Sequence, residues 1–366
     1  MKLDWRAVLG IAISILLLWW VLRGVDVEAV WAGIRGMHVG WFTAAMVVTT
    51  AGFALRAIRW GVLLTPLKAD TSFRSRFAAV TIGFMGNNLL PARAGEFARV
   101  FAFSRMQPVT VSGALGSLVV ERFLDGVMIL TLLAVVLLSP GFPSEVSVGG
   151  RPVGDAVGGA SLILLAVMAP VLLVLFWPRG VIRIVERLTA RIPSPRADAL
   201  VKGLEAFVDG LRALRDPRLL VPALAWSLVF WLWHSWAFWL GFRAFGIEAD
   251  FMAALFLNAV LAFFVAVPSS PGFFGTFHAG AVVGLTVYGV PEDRILSFAF
   301  GQHLGGFIPV TLIGLWYTWR LGLTLKQVGE SEEVVEEVVD QEEAVEESLE
   351  RLTSAPLGKK GPEAVP

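Results

Sequence analysis

The chain has 366 residues, 56% of them apolar and only 16% charged, with a mean hydropathy of +0.71. Soluble domains run about 45–50% apolar and about 25% charged. Here the excess falls in long uncharged runs, the mark of membrane spans, so a soluble globular enzyme is excluded. The formal net charge of zero hides a division: residues after Gly329 sum to −9 and the first 329 to +9. A basic membrane body therefore carries an acidic tail. Of the 30 cations 24 are Arg, the better bidentate partner for phosphate. With no Cys, disulfides, thiolate catalysis and Cys-based metal sites are excluded.

In chain order, Lys2 and Arg6 precede an apolar run from Ala7 to Leu22 that lacks a small-residue cleavage site after it, so a retained first span is expected. Further apolar segments lie near 41–55, 77–90, 110–138, 156–177, 219–242, 251–267, 274–290 and 295–319. A span needs roughly 17–25 residues. The segment at 77–90 is too short alone, and PSSPG at 268–272 interrupts 251–290.

Loop charges set the orientation. Residues 56–76 hold Arg56, Arg59, Lys68, Arg74 and Arg76 against Asp70 alone, and 179–218 is also cation-rich. The loops at 139–155 and 243–250 each carry one Arg and two acids. The expectation is a multi-pass protein of the cell membrane with both termini cytoplasmic. Given full spans at 110–138 and 295–319, residues 77–105 must enter and return to the cytoplasmic side, and 251–290 must enter and return outside. The predicted fold class is an all-α polytopic membrane protein with about six full spans plus two inverted re-entrant or broken helical hairpins. Such an inverted pair is the signature of a transporter core; ordinary spans tied by tight turns would preserve the same orientation. Residues 1–325 form the membrane domain and 326–366 the acidic tail. Leu200, Leu204, Phe207, Val208, Leu211 and Leu214 predict an amphipathic helix on the inner leaflet or against the bundle. Val334, Val338, Val345, Leu349 and Leu352 predict an acidic amphipathic helix in the tail, followed by a disordered end.

Three clusters can carry chemistry. In GFMGNNLLPARAGEFARVFAFSR (83–105), Asn87 and Asn88 stand at the end of the short segment, Pro91 breaks it and Gly95 lets the backbone turn. Arg93, Glu96 and Arg99 follow near one helical face, suiting an anion; an exposed loop pair is the plain alternative. Within the span at 110–138, Glu121, Arg122 and Asp125 sit mid-membrane, where each charge costs about 2.5–3.5 kcal/mol. They form a midplane network, structural or functional, whose extra acid can pair with Arg93 or Arg99. In VPSSPGFFGTFHAG (267–280), Ser269, Ser270 and Gly272 offer small polar groups and exposed backbone, and His278 is a candidate for proton coupling. A turn between two spans is the alternative there. Gln302 and His303 open the last span in GQHLG, a spacing for close helix contact, and His234 reads as a packed histidine among Trp residues. No Walker A loop, G-x-S-x-G elbow, H-E-x-x-H or Rossmann fingerprint occurs, so no cofactor, no metal site and no catalytic residue are assigned.

NNLLPARAGEFAR, ERFLD and PSSPGFFGTFHAG, with Arg56-Ala-Ile-Arg59-Trp60 after the second span, resemble the flippase-like membrane domain of the lysylphosphatidylglycerol synthases over residues 5–325. The resemblance implies a domain that moves an aminoacylated lipid between leaflets after a soluble domain has made it. Only 41 residues follow Leu325, too few for that soluble domain, so transferase activity is expected from another chain if at all. Relatives are associated with different lipids, including polyprenyl-linked sugars in archaeal members, so the substrate does not carry over. The resulting expectation is a translocase for an anionic phospholipid or lipid-linked headgroup. Arg93 and Arg99 would take the phosphate, and Asn87, Asn88 and Glu96 would line the path. A membrane-embedded glycosyl or aminoacyl transferase using Glu96 or Asp125 as base, and a non-transporting scaffold, are the rivals. The expected partners are a membrane lipid, a separate synthase or glycosyltransferase, and a second copy of the chain, with no nucleic acid.

Overall fold

The computed structural model describes residues 5–90, 95–143, 147–148, 151–152, 162, 166, 173, 177–189, 216–267 and 269–354. Arg93, nearly all of the span expected at 156–177, the helix expected over 200–214 and the end expected to be disordered lie outside the described residues.

The described chain is almost wholly helical: α1 (Trp5–Leu22), α2 (Val27–Arg35), α3 (Val39–Leu64), α4 (Phe73–Leu89), α5 (Gly95–Ser104) and α6 (Val111–Leu137) come first. After a two-residue β-pair, Ser147–Val148 with Arg151–Pro152, follow α7 (Pro178–Thr189), α8 (Pro217–Ala244), α9 (Phe251–Ala266) and a 3-10 turn at Pro271–Phe273. The series ends with α10 (Thr276–Thr286), α11 (Glu292–Arg320), α12 (Leu325–Gly329) and α13 (Ser331–Ser354). Side-chain acceptors start most of the long helices by satisfying N–H groups that the first turn leaves free. Thr110 accepts from Gly113, Asp216 from Arg218 and Asp250 from Ala253. By length and apolarity α3, α8 and α11 can each cross a bilayer, and α1 with α2, bent by 89°, can form a fourth span. At 27 residues α6 is as long, but it carries Glu121, Arg122 and Asp125. Exposed Ile15, Leu16, Trp19, Val47, Leu312 and Trp319 give the bundle an apolar outside, as lipid requires.

The two expected hairpins are present and built alike. In the first, α4 of 17 residues and α5 of 10 precede the 27-residue α6; in the second, α9 of 16 and α10 of 11 precede the 29-residue α11. At 1.5 Å per residue, α5 and α10 reach only about half of a 30 Å hydrocarbon core. Each hairpin packs on the other half's long helix, α4 on α11 and α9 on α6. The equivalent helices α3 and α8 run antiparallel, with the His38 N–H donating to Ala244, Trp233 Nε1 donating to the Val48 carbonyl and Arg59 donating to Ser227. The halves are therefore inverted copies.

Two expectations change. Arg56 and Arg59 are not loop residues: α3 continues to Leu64, and Ala57, Trp60 and Leu64 beside them are fully buried. Acids of α6 face them, so the connection from α3 to α4 shrinks to the residues between Leu64 and Phe73. The tail is helical as expected, but a different valine faces the bundle. Its helix α13 packs on α5 and α6, with Val335 buried and Val338 and Val339 against the same core, while Val334 and Val345 face out. Of the expected stripe Val338 packs, whereas Val335 takes the buried place expected of Val334; the side chains of Leu349 and Leu352 lie outside the described residues.

Candidate functional site

Four helices converge on one buried cluster. On α6, Glu121 and Asp125 are four residues apart and share a face; Glu121 is fully buried and Asp125 nearly so. From α3 comes Arg59, fully buried, bridging both acids: its Nη2 is 3.0 Å from Glu121 Oε1 and its Nη1 donates to Asp125 Oδ1. From α5 comes Arg99, which donates through both terminal nitrogens to Glu121 at 3.1 and 2.8 Å. Trp231 on α8 donates its indole N–H to Asp125 at 3.0 Å. Small residues make this convergence possible. A Cβ on Gly83 of α4 would meet Arg99 Cβ and the Gly95 carbonyl, so glycine lets α5 lie against α4. Trp60 holds the floor, donating to Ser117 at 2.9 Å with the Arg99 guanidinium 4.0 Å from its ring centroid.

The mouth of the cluster is wetter. Arg122 is 44% and Glu96 50% exposed, 3.4 Å apart, and Arg122 also reaches Glu121 at 2.9 Å and Asp125 at 3.4 Å. On the other side Arg56, with its side chain 12% exposed, lies 3.8 Å from Glu121 and packs its guanidinium over Phe230 and Phe84. Arg56, Arg59 and Arg99 thus face two carboxylates, leaving one positive charge in excess in a place where charge is costly. Arg56 Nη1, Arg59 Nε and Arg99 Nε are buried without a hydrogen-bond acceptor.

The remaining candidates occupy the hairpin tips. Asn87 Oδ1 accepts from the Gly95 N–H at 3.1 Å, tying the first hairpin closed. Asn88 donates to Thr311 on α11 at 2.8 Å. The tips meet: a Cβ on Gly272 would stand 3.4 Å from the Asn88 carbonyl oxygen. Gly272, Phe273 and Gly275 are left-handed, with φ of 71°, 61° and 86°, a sharp turn that two glycines make cheap. The Ser270 N–H donates to Ser14 of α1 at 2.8 Å, and Ser269 packs its carbonyl against Gly10. The second hairpin's serines are thus held by α1 rather than brought to the arginines. His278 is fully buried on α10. Gln302 and His303 lie well inside α11, not at its start, and His234 is packed, its Nδ1 3.0 Å from Asn258 Oδ1. Among the described residues no group of three His, Asp or Glu could hold a metal ion.

Arg99 pairs with Glu121 as the spare-acid argument allowed, but Arg56, Arg59, Ser227 and Trp231 were not foreseen as members. The signal for the arginines was their i, i+3 spacing on a helix whose apolar face runs on to Leu64.

A protein-family model described as the lysylphosphatidylglycerol synthase TM region matches residues 7–314. A UPF0104 membrane protein of Methanothermobacter thermautotrophicus (strain Delta H) is 26% identical over 308 residues, covering 78% of this chain and 86% of the relative. No solved structure matches the chain.

Proposed function

Since the chain belongs to the lysylphosphatidylglycerol synthase TM-region family, we propose that it moves an anionic phospholipid or lipid-linked headgroup across the cell membrane, with both termini cytoplasmic. The observation that carries this reading is the excess of guanidinium over carboxylate in the buried cluster, with three guanidinium nitrogens lacking acceptors. A phosphate supplies one or two negative charges and several acceptors, and Arg matches it bidentately. The half-exposed Arg122–Glu96 pair serves as the entrance. Arg56 is the residue whose charge is least used by the protein, and Arg99 is committed to Glu121 until a phosphate competes for it.

A transferase reading needs a carboxylate free to take a proton. Glu121 and Asp125 are each held by two or more arginines, which weakens them as bases and favours the transport reading. Purified protein in liposomes bearing a fluorescent anionic lipid tests the proposal. The native chain is expected to accelerate lipid exchange between leaflets, Arg56→Gln to lose most of that rate while its thermal stability holds, and Arg56→Lys to recover only part. Full activity in Arg56→Gln would remove the phosphate assignment.

A further inference from the structure

Of the three histidines of the second half, His278 and His303 face each other, with no ion pair to either among the described residues. His278 is fully buried and neither of its ring nitrogens has a hydrogen-bond partner. His303, 8% exposed, has its Nε2 2.7 Å from the Gly272 carbonyl, which can only accept, so Nε2 carries the proton and the unpartnered Nδ1 is an acceptor. The two ring centroids are 5.2 Å apart. Phenylalanines wall the pair: Phe300 stands 4.1 Å from His278, and Phe277 and Phe274 stand 4.7 and 4.8 Å from His303.

Among the described residues, the packed elements bring no other titratable group to this box. From α9 come Leu261 and Phe264, beside Gly280. From α1 comes the Ser14 carbonyl, beside Gly275. The turn contributes the Gly272 carbonyl, and α11 contributes His303, the one charge-bearing group that acts on His278. Counted from the first residues of the two long helices, His303 stands where Arg122 stands in the first half; counted along α3 and α8, His234 stands where Arg56 stands. The first half thus carries permanent cations at positions where its inverted copy carries imidazoles.

A neutral imidazole in this box already forgoes hydrogen bonds that water would supply. An added proton would put a full charge among phenyl rings, whose faces offset only part of the lost hydration. Such a charge is accommodated by letting water in. We propose that His278 and His303 form a proton switch: protonation of the pair loosens α10 from α11 and opens the second hairpin to water. The first half, whose arginines stay charged at all relevant pH values, does not respond in this way. The switch stands apart from the lipid-transport reading, because it concerns only the coupling of a proton to a hairpin.

The Cys-free chain allows a single spin label at residue 282, one turn beyond His278 on α10, with a control label at residue 119 on α6. In nanodiscs, collision of the label at 282 with a water-soluble nickel chelate is expected to rise several-fold and reversibly between pH 7.5 and 5, with no change at 119. His278→Phe with His303→Gln should abolish the rise. His278→Gln alone, which keeps a polar side chain and serves if the double variant does not fold, should reduce it strongly. His234→Phe should leave it intact. A label at 282 that ignores pH in the native background would overturn the proposal, and so would an undiminished rise in either His278 variant or its loss in His234→Phe.

Discussion

Replacing Glu121 by Gln keeps the shape of the side chain and removes the charge on which four arginines, Arg56, Arg59, Arg99 and Arg122, converge. Arg99 loses a bidentate partner at 3.1 and 2.8 Å, Arg59 a contact at 3.0 Å and Arg122 one at 2.9 Å. At an effective dielectric near 20, unit charges 4 Å apart attract by about 4 kcal/mol, and neutralising a buried acid recovers part of its desolvation cost. The net loss should match that for breaking a buried pair from one side, about 3–5 kcal/mol, a fall in melting temperature on the order of 10 °C. Adding Arg99→Gln removes one of the stranded cations and should restore at least half of the lost stability. Thermal unfolding of the two single variants and the double in detergent, read as a double-mutant cycle, measures this. A Glu121→Gln loss below about 1 kcal/mol, or a double variant no better than the sum of the singles, would refute the buried network as described.

Glu342 of α13 accepts from the N–H groups of Val111 and Ser112 at 2.9 and 3.0 Å and from the Ser112 hydroxyl, capping α6 from a distance. Burial pushes its carboxyl up, but those hydrogen bonds outweigh it and hold it below its ordinary value. Tail docking should therefore be complete above pH 4.5 and weaken as the pH falls through the lowered value; proteolysis of the tail at pH 7 and pH 4, with Glu342→Gln as the already weakened control, reports it. Gly95→Val should drive a side chain into the Gly83 carbonyl and Asn87, splaying the first hairpin at a cost of about 1–3 kcal/mol, visible as reduced melting temperature and lost lipid exchange. For orientation, a cysteine at residue 248 should label from outside intact cells, and cysteines at 70 and 340 only after permeabilisation; outside labelling at 70 would reverse the topology.

The hairpins were legible because their ends are written in backbone chemistry. Gly-Pro breaks divide apolar runs too short to cross, and loop charges demand that each run return to its own side. Glu121 and Asp125 were legible as network members because charges inside an apolar helix are too costly to be incidental. Arg56 and Arg59 were misplaced because counting cations treats every arginine as loop. A guanidinium paired with an acid 66 residues away looks the same in sequence as one in water. The packed face of α13 was missed at Val334, though not at Val338, for a related reason. Valines come there in adjacent pairs, so periodicity alone could not choose between Val334 and Val335; Val335 is the one that joins the core against which Phe97 and Leu115 also pack. The carboxylate of Glu342 was hidden among eleven other acids of the tail.

The polar ties have an order in time. Ser14 serves Ser270, Val30 takes the hydroxyl of Ser297, Asn88 reaches Thr311 and Val111 waits for Glu342, separations of 256, 267, 223 and 231 residues. These four early helices, α1, α2, α4 and α6, therefore each leave the ribosome with a donor or acceptor whose partner has not yet been made. The first half enters the bilayer with open polar ends that only the last-made third of the chain can close. A nascent chain that stops before α11 lacks the partners of Val30 and Asn88, and one that stops before α13 leaves the Val111 and Ser112 N–H groups of α6 without Glu342.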